Sequence, residues 1–224
     1  MQNIGVWQID GIAPKRLEAS QIDLERDLEE WIQQDPGLLQ HGLAIVGRQL
    51  AVEVGRLDLL ALDAQGRWVV IEIKSAQVHR ETISQALDYA SCIATMPWEA
   101  LAQQANGYLH AQGKTLEELI DERGGQTAQD KEPPRDVMIY VVGTGRAAGL
   151  ERLVDYLAGT YEMPIAVVSY EVFKTSDGQR ILVRELGEAE AGEPSLAAER
   201  RRRKAVTVEE IRNQADHAGI GRGF

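Results

Sequence analysis

The run RWVVIEIKSA, residues 67–76, constrains the fold more strongly than any other stretch of the chain. Its aliphatic, mostly β-branched residues are typical of a buried strand, but Glu72 and Lys74 stand among them. Charged side chains are almost never fully buried unless they are paired. Because residues two apart in a strand share a face, Glu72 and Lys74 point the same way. The run therefore predicts a core strand that presents a carboxylate and an ammonium group together.

A second acidic residue is expected to face this pair. DAQG at 63–66 predicts a hairpin turn, and the strand before it, within GRLDLLALD, carries Asp58 as a lone acid in an apolar run. Asp58, Glu72 and Lys74 are thus expected to converge at one end of a hairpin. A hard cation between the two acids would explain the cluster, because Mg²⁺ binds through one or two carboxylates plus water and phosphate oxygens. A structural ion pair at the end of a strand is the alternative interpretation of such a short pattern.

Strand and helix patterns alternate along the rest of the chain. Strands are predicted at 6–11, within 43–63 with breaks at Gly47 and Gly55, and at 137–143, 164–173 and 180–186. Helices are predicted after a Ser20 N-cap, over 80–96, over about 98–122 and over 150–159. The alternation predicts an α/β fold, a central mixed β-sheet flanked by helices. We expect residues 1–187 to form this domain and residues 188–224 to be a charged linker and a basic C-terminal tail with one candidate helix.

The charge of the chain bears on its partners. It carries 24 Lys and Arg against 35 Asp and Glu, a formal net charge of −11. Because the nucleic-acid backbone repels acidic surfaces, nucleic-acid binding would have to rely on a local basic patch or on metal ions. The run ERRRRK either grips phosphates or is a solvated linker; its arginines are Arg200, Arg201, Arg202 and Arg203. Arg56 is a further candidate phosphate contact, although an ordinary exposed strand position is the favoured interpretation.

The compartment is indicated by composition. A single cysteine, Cys92, excludes an internal disulfide framework and suits a reducing environment. No apolar run approaches the roughly 20 residues of a membrane span, and the N-terminus lacks a signal pattern. We therefore expect a cytoplasmic protein, and its hydrophobic content of 44% is sufficient for a sizeable core.

The segment GRLDLLALDAQGRWVVIEIKSA, followed by QALDYA, resembles the PD-(D/E)XK, restriction-endonuclease-like superfamily. More narrowly, it is similar to the nuclease domain of the NucS family of DNA endonucleases. That domain has an acid on an early helix, an Asp on one strand, ExK on the next strand, and Gln and Tyr four apart on the following helix. The matching residues, in this order, are Glu25, Asp58, Glu72 with Lys74, Gln85 and Tyr89. The resemblance covers about residues 4–186, most densely over 20–92.

The resemblance implies a role for each of these residues. Asp58 and Glu72 would bind Mg²⁺ or Mn²⁺, with the Ile73 carbonyl as a third ligand. Lys74 would orient the attacking water or stabilise the pentavalent phosphorus. Glu25 would reach a metal-bound water or a second ion, and the nearby Glu29 and Glu30 are its competitors. Gln85 and Tyr89 would support the site and contact the DNA backbone, or would simply pack a helix over the sheet.

The implied function is metal-dependent hydrolysis of DNA phosphodiester bonds, in repair or in defence against foreign DNA, without an organic cofactor. A non-cleaving binding or scaffold module on the same fold is the alternative, and an RNA-directed nuclease stays open. Family members carry a separate single-strand-binding domain, for which this chain is not expected to have room. Their branched-substrate preference and the dimerisation attributed to that domain are therefore not carried over, and a homodimer is left open.

Overall fold

The computed structural model describes residues 4–20, 25–123, 136–145, 147 and 149–185. All of these belong to one compact unit, Met1–Glu185. The predictions for 188–224, including the basic run with Arg200, Arg201, Arg202 and Arg203, lie outside the described residues.

A mixed sheet of seven strands is the centre of the described structure. Its strands are β3 (Glu18–Ser20), β4 (Ala44–Val52), β5 (Gly55–Leu62), β6 (Trp68–Ile73), β7 (Met138–Gly143), β8 (Ile165–Lys174) and β9 (Arg180–Glu185). Strands β4, β5 and β6 form an antiparallel meander, whereas β7 pairs parallel to β6 and β8 pairs parallel to β7. Strands β3 and β9 both pair antiparallel with β8. The short β1 (Trp7–Asp10) and β2 (Ala13–Arg16) form a separate antiparallel hairpin.

Helices cover both faces of the sheet, which confirms the predicted fold class. They are α1 (Glu25–Gln34), α2 (Arg80–Thr95), α3 (Trp98–Leu109), α4 (Leu116–Glu122) and α5 (Leu150–Thr160). Leu28 and Ile32 of α1 are fully buried in the core on one face, whereas α2 to α5 pack into the core on the other. Strands β6 and β7 lie between these two cores and are buried along their whole length. This explains why their sequences, apart from Glu72, are continuous apolar runs and do not alternate.

The turn between β5 and β6 is the one predicted from DAQG. Asp63 is fully buried, and its Oδ1 accepts hydrogen bonds from the backbone N–H groups of Gln65 and Arg67 at 3.0 and 2.9 Å. Its Oδ2 accepts from Arg67 Nε at 2.9 Å. These bonds satisfy a buried carboxylate and hold the two strands in the register that pairs Leu62 with Trp68.

Three sequence predictions need correction. The helix expected over about 98–122 is two helices, because a 3-10 turn at His110–Gln112 ends at Gly113, whose φ of 69° terminates the first. Strand β4 continues through Gly47 without a break. Its pairing register with β5 shifts by one residue between Ile45 and Gly47, as at a β-bulge. The N-cap expected at Ser20 is wrong, because Ser20 is the last residue of β3 and α1 begins at Glu25. Strands β2 and β3 were not predicted from the sequence. Among the described residues, no helix combines the length and apolar character required to cross a bilayer.

Candidate metal centre

The site is formed where β5 and β6 separate. Their regular ladder ends at the pair Leu59 and Ile71. Two residues further along β6, where a continuing ladder would bond to the β5 backbone, the N–H of Ile73 donates to Asp58 Oδ2 at 2.8 Å. A carboxylate therefore takes the place of a backbone carbonyl, and the Asp58 side chain is held against the backbone of β6.

Glu72 is the most unusual residue of the site, since it carries an acidic group but is only 1% exposed. Glu72 directly follows Ile71 in β6, and Asp58 directly precedes Leu59 in β5. Because the two strands are antiparallel, both acids lie just beyond the last ladder pair, at the same end of the hairpin. Glu72 Oε1 accepts a hydrogen bond from Lys74 Nζ at 2.7 Å. Glu72 Oε2 is buried and has no hydrogen-bond donor among the described residues. Buried polar atoms are normally satisfied, so this oxygen requires an explanation.

The electrostatics of the cluster reflect its burial. Burial, and next the charge of Asp58, raise the pKa of Glu72 to about 7. Burial also raises the pKa of Asp58, against the opposing effect of its bond to Ile73. For Lys74, burial lowers the pKa, but the hydrogen bond and charge of Glu72 outweigh it and the net pKa is raised. Lys74 is therefore a cation at neutral pH beside two acids whose charge is unfavourable in the isolated protein.

Glu25, predicted from sequence as the helix acid, is the exposed first residue of α1. Its negative charge raises the pKa of both Glu72 and Lys74, which brings it within electrostatic reach of the cluster. Glu30, one of its competitors, pairs at the surface with Arg26. Glu29, the other competitor, is buried and connects to Asp58 through an intermediary.

That intermediary is Gln49 of β4, which the sequence analysis missed. Its Nε2 donates to Asp58 Oδ1 and to Glu29 Oε2, each at 3.1 Å. Its backbone φ is +50°, a left-handed conformation that costs a non-glycine residue about 1–2 kcal/mol. Arg48 completes the connection by pairing with Glu29 at 2.5 Å. The available signal was the polar pair Arg48–Gln49 inside an apolar strand, the same kind of signal as Glu72 and Lys74.

The supporting pair on α2 forms as the spacing predicted. Gln85 Nε2 donates to the Tyr89 hydroxyl at 2.9 Å, and Tyr89 is buried. The hydroxyl lies against Gly55 at the start of β5, where an added Cβ would be 3.1 Å from the oxygen. The pair therefore lies against the hairpin that carries Asp58, and its supporting role stays a prediction. Arg56, next to Gly55, is exposed, and its contact with phosphate stays a prediction.

The donor set fits a hard cation with an incomplete protein shell. In the described part of the chain, no group of three or more His, Cys, Asp and Glu side chains is arranged to hold a metal ion. Two carboxylates, one with an unpartnered oxygen, match Mg²⁺, which usually takes one or two carboxylates and keeps several waters. They do not match a structural zinc site, which needs four protein ligands. The roles of Asp58, Glu72 and the Ile73 carbonyl as ligands stay predictions.

Comparison with known families bears on the same stretch of chain. The family model described as the Endonuclease NucS C-terminal domain matches residues 24–147, more than half of the chain and the whole of the cluster. The chain belongs to this family. The NucS-like part of the resemblance is thereby confirmed, while the wider PD-(D/E)XK assignment stays a prediction.

Two relatives of this NucS-family chain are both named Endonuclease NucS. Endonuclease NucS of Sulfolobus acidocaldarius is 27% identical over 108 residues, 48% of this chain and 41% of that protein. Endonuclease NucS of Methanocaldococcus jannaschii is 28% identical over 65 residues, 29% of this chain and 25% of that protein. The matched region therefore spans less than half the length of these relatives.

Two solved structures show a more distant likeness. A repair endonuclease from Pyrococcus abyssi has a TM-score of 0.40 at 15% identity, covering 66% of this chain and 47% of that one. An EndoMS–dsDNA complex also has a TM-score of 0.40, at 18% identity, covering 67% of this chain and 47% of that one.

Proposed function

We propose that this NucS-family chain is a Mg²⁺- or Mn²⁺-dependent deoxyribonuclease of the PD-(D/E)XK type, an endonuclease that hydrolyses DNA phosphodiester bonds in repair. The observation that carries the proposal is the buried Glu72 carboxylate, whose Oε1 pairs with Lys74 and whose Oε2 has no donor among the described residues. Burying a carboxylate without full compensation is costly. A divalent ion at Oε2 supplies the missing compensation, and Asp58 stands beside it as a second ligand.

Asp58 is suited to hold an ion in a fixed place. Its Oδ1 accepts from Gln49 and its Oδ2 accepts from Ile73, so the carboxylate is oriented while lone pairs stay available. Glu72 contributes Oε2, and the Ile73 carbonyl is the proposed third ligand. An ion held by these residues would supply Lewis-acid chemistry, polarising the scissile phosphate and acidifying a water molecule.

Lys74 acts as a cation in this proposal. The hydrogen bond and charge of Glu72 raise the pKa of Lys74, so without metal its ammonium group is protonated at neutral pH and donates hydrogen bonds. Because its Nζ is already held 2.7 Å from Glu72, it is pre-positioned beside the proposed ion. From there it orients the attacking water and stabilises the negative charge that develops on the phosphate oxygens.

The remaining predicted residues have supporting roles. Glu25, at the exposed start of α1, would reach toward a water of the bound ion or toward a second ion. Gln85 and Tyr89 hold the hairpin of Asp58 in place through the contact with Gly55. Arg56 is exposed on the same hairpin, where it would be able to contact a phosphate of bound DNA.

DNA as the substrate rests on membership in a family of DNA endonucleases, and the relatives bear the name endonuclease. The net charge of −11 is the observation that favours the alternative, a non-cleaving scaffold or binding module. An acidic chain repels DNA, so the nuclease is expected to depend on the divalent ion for substrate affinity as well as for chemistry. The paired acids and the lysine favour the nuclease, because a scaffold has no need of a buried, unsatisfied carboxylate.

The test is cleavage of a panel of DNAs (linear duplex, single-stranded, flapped and mismatched) and one RNA, with Mg²⁺, Mn²⁺ or EDTA. Wild type is compared with Glu72→Ala and Lys74→Ala, and with Glu53→Ala as the control at an exposed acid in the β4–β5 turn. The proposal is supported if cleavage requires the divalent ion, survives in Glu53→Ala and is lost in Glu72→Ala and Lys74→Ala. Stable DNA binding by wild type without cutting of any substrate contradicts it and supports the scaffold.

A further inference from the structure

The side chain of Gln49 bridges two carboxylates that belong to different elements. Its Nε2 lies 3.1 Å from Asp58 Oδ1 on β5 and 3.1 Å from Glu29 Oε2 on α1. Ionised carboxylates only accept hydrogen bonds, so the amide nitrogen rather than the amide oxygen has to face both. The two hydrogens of one NH₂ group are thereby matched to two acceptors, which fixes the orientation of the amide.

The amide is itself held from behind. Glu29 is buried, and its Oε1 pairs with Arg48 Nε at 2.5 Å, which leaves Oε2 to receive Gln49. Arg48 Nη1 in turn donates to Gln33 Oε1 at 2.8 Å. Each of these residues lies on α1 or β4, so the amide is anchored to the rigid body of the domain rather than to a loop.

The backbone at this position indicates that the side chain is what matters. Gln49 has a φ of +50°, a conformation that glycine adopts without strain and that other residues rarely adopt. A side chain kept at such a position in the middle of a strand, and bonded to the buried Glu29 and the half-buried Asp58, is best explained by what it contacts.

We infer that Gln49 is a positioning residue for the proposed metal centre. Its amide donates to Asp58 Oδ1, and the Ile73 N–H donates to Asp58 Oδ2. Together the two bonds hold the carboxylate in the orientation in which it would bind the ion. The inference rests on the proposed function, because the role of Gln49 is to orient Asp58, and Asp58 is a metal ligand only in that proposal. Outer partners of metal ligands typically change metal affinity by about 10–100-fold when removed.

The experiment uses Gln49→Gly and Gln49→Ala in the full chain. Glycine removes the amide while accepting the positive φ, so it separates loss of the amide from backbone strain. Gln33→Ala is the matched control, because it removes another amide of the same network that contacts Arg48 and Tyr108 but not Asp58. Two quantities are measured for each protein: Mn²⁺ affinity by isothermal titration, and the amide signal of Ile73 by ¹⁵N-resolved NMR without metal.

In Gln49→Gly and Gln49→Ala we expect Mn²⁺ affinity to fall about 10–100-fold. The Ile73 amide proton should move upfield and exchange faster with solvent, since Asp58 is no longer held against it. Gln33→Ala should stay within about twofold of wild type in Mn²⁺ affinity, far below the loss expected for a ligand-positioning partner. An unchanged Ile73 signal in Gln49→Gly, or Mn²⁺ affinity equal to wild type, overturns the inference. If wild type binds no Mn²⁺ but the Ile73 signal still moves, the positioning of Asp58 is supported and the proposed metal-dependent function is what fails.

Discussion

The burial of Glu72 leads to a prediction about stability. Without metal, burial and the charge of Asp58 raise the pKa of Glu72 from 4.5 to about 7. Between these two values the folded chain binds more protons than the unfolded chain, so the free energy of unfolding falls as pH rises. The contribution of Glu72 to the free energy of unfolding is therefore least favourable in the pH range in which Glu72 is ionised and ready to bind a cation.

The magnitude follows from the size of the shift. A difference of about 2.5 pKa units corresponds to about 3 kcal/mol of lost stability at pH 8, most of which appears between pH 5 and pH 8. Glu72→Gln keeps the shape of the side chain but removes the charge. We expect this variant to be more stable than wild type at pH 8 by about 1–3 kcal/mol, because a weaker bond to Lys74 offsets part of the gain.

Urea unfolding with EDTA at pH 5 and pH 8 measures this effect. Glu53→Gln, at an exposed acid in the β4–β5 turn, is the matched control and should follow wild type at both pH values. If Glu72→Gln is no more stable than wild type at pH 8, or loses as much stability as wild type between the two pH values, the strain attributed to this carboxylate is absent.

Three further predictions concern single contacts. Lys74→Met should lower the single-turnover rate of DNA cleavage about 10²–10³-fold, because the cation that stabilises the phosphate is gone, while Mn²⁺ still binds through Glu72; an unchanged rate would rule out the proposed role. Gly55→Ala should lower the free energy of unfolding by about 1 kcal/mol or more, since its φ is +152° and the new Cβ approaches the Tyr89 hydroxyl; urea denaturation measures it, and a neutral result would contradict the contact. Thr115→Ala should cost about 1 kcal/mol by removing the capping box of α4, and Thr115→Ser, which keeps the hydroxyl, should restore most of it.

The parts of the site that lie on one hairpin were predictable from sequence. Glu72 and Lys74 stood out because charges interrupt an apolar strand, and DAQG fixed the turn that brings Asp58 back beside them. Both signals are local, because the charges in an apolar strand and the turn residues lie within a few positions of one another. The hydrophobic periodicity of each segment likewise predicted that strands and helices alternate along the chain.

The contacts between distant segments were not predictable, although the polar pair Arg48–Gln49 in an apolar strand marked one of the residues that make them. Gln49 donates a hydrogen bond to Glu29, which lies 20 residues earlier in the sequence. The local sequence pattern also does not predict the positive φ of Gln49 inside β4. The break after α3 was missed because helical spacing resumes beyond Gly113, so periodicity alone suggested one continuous helix. Buried polar partners are determined by packing, which a single sequence does not display.

The central claim is that Asp58 and Glu72 jointly hold a divalent ion. The most direct measurement is isothermal titration of Mn²⁺ into the full chain at pH 8, for wild type, Glu72→Gln and Asp58→Asn, with Glu53→Gln as the control. We expect wild type and Glu53→Gln to bind Mn²⁺, and Glu72→Gln and Asp58→Asn to lose that binding. Unchanged Mn²⁺ binding in Glu72→Gln and Asp58→Asn, or no binding by the folded wild type, would contradict the central claim.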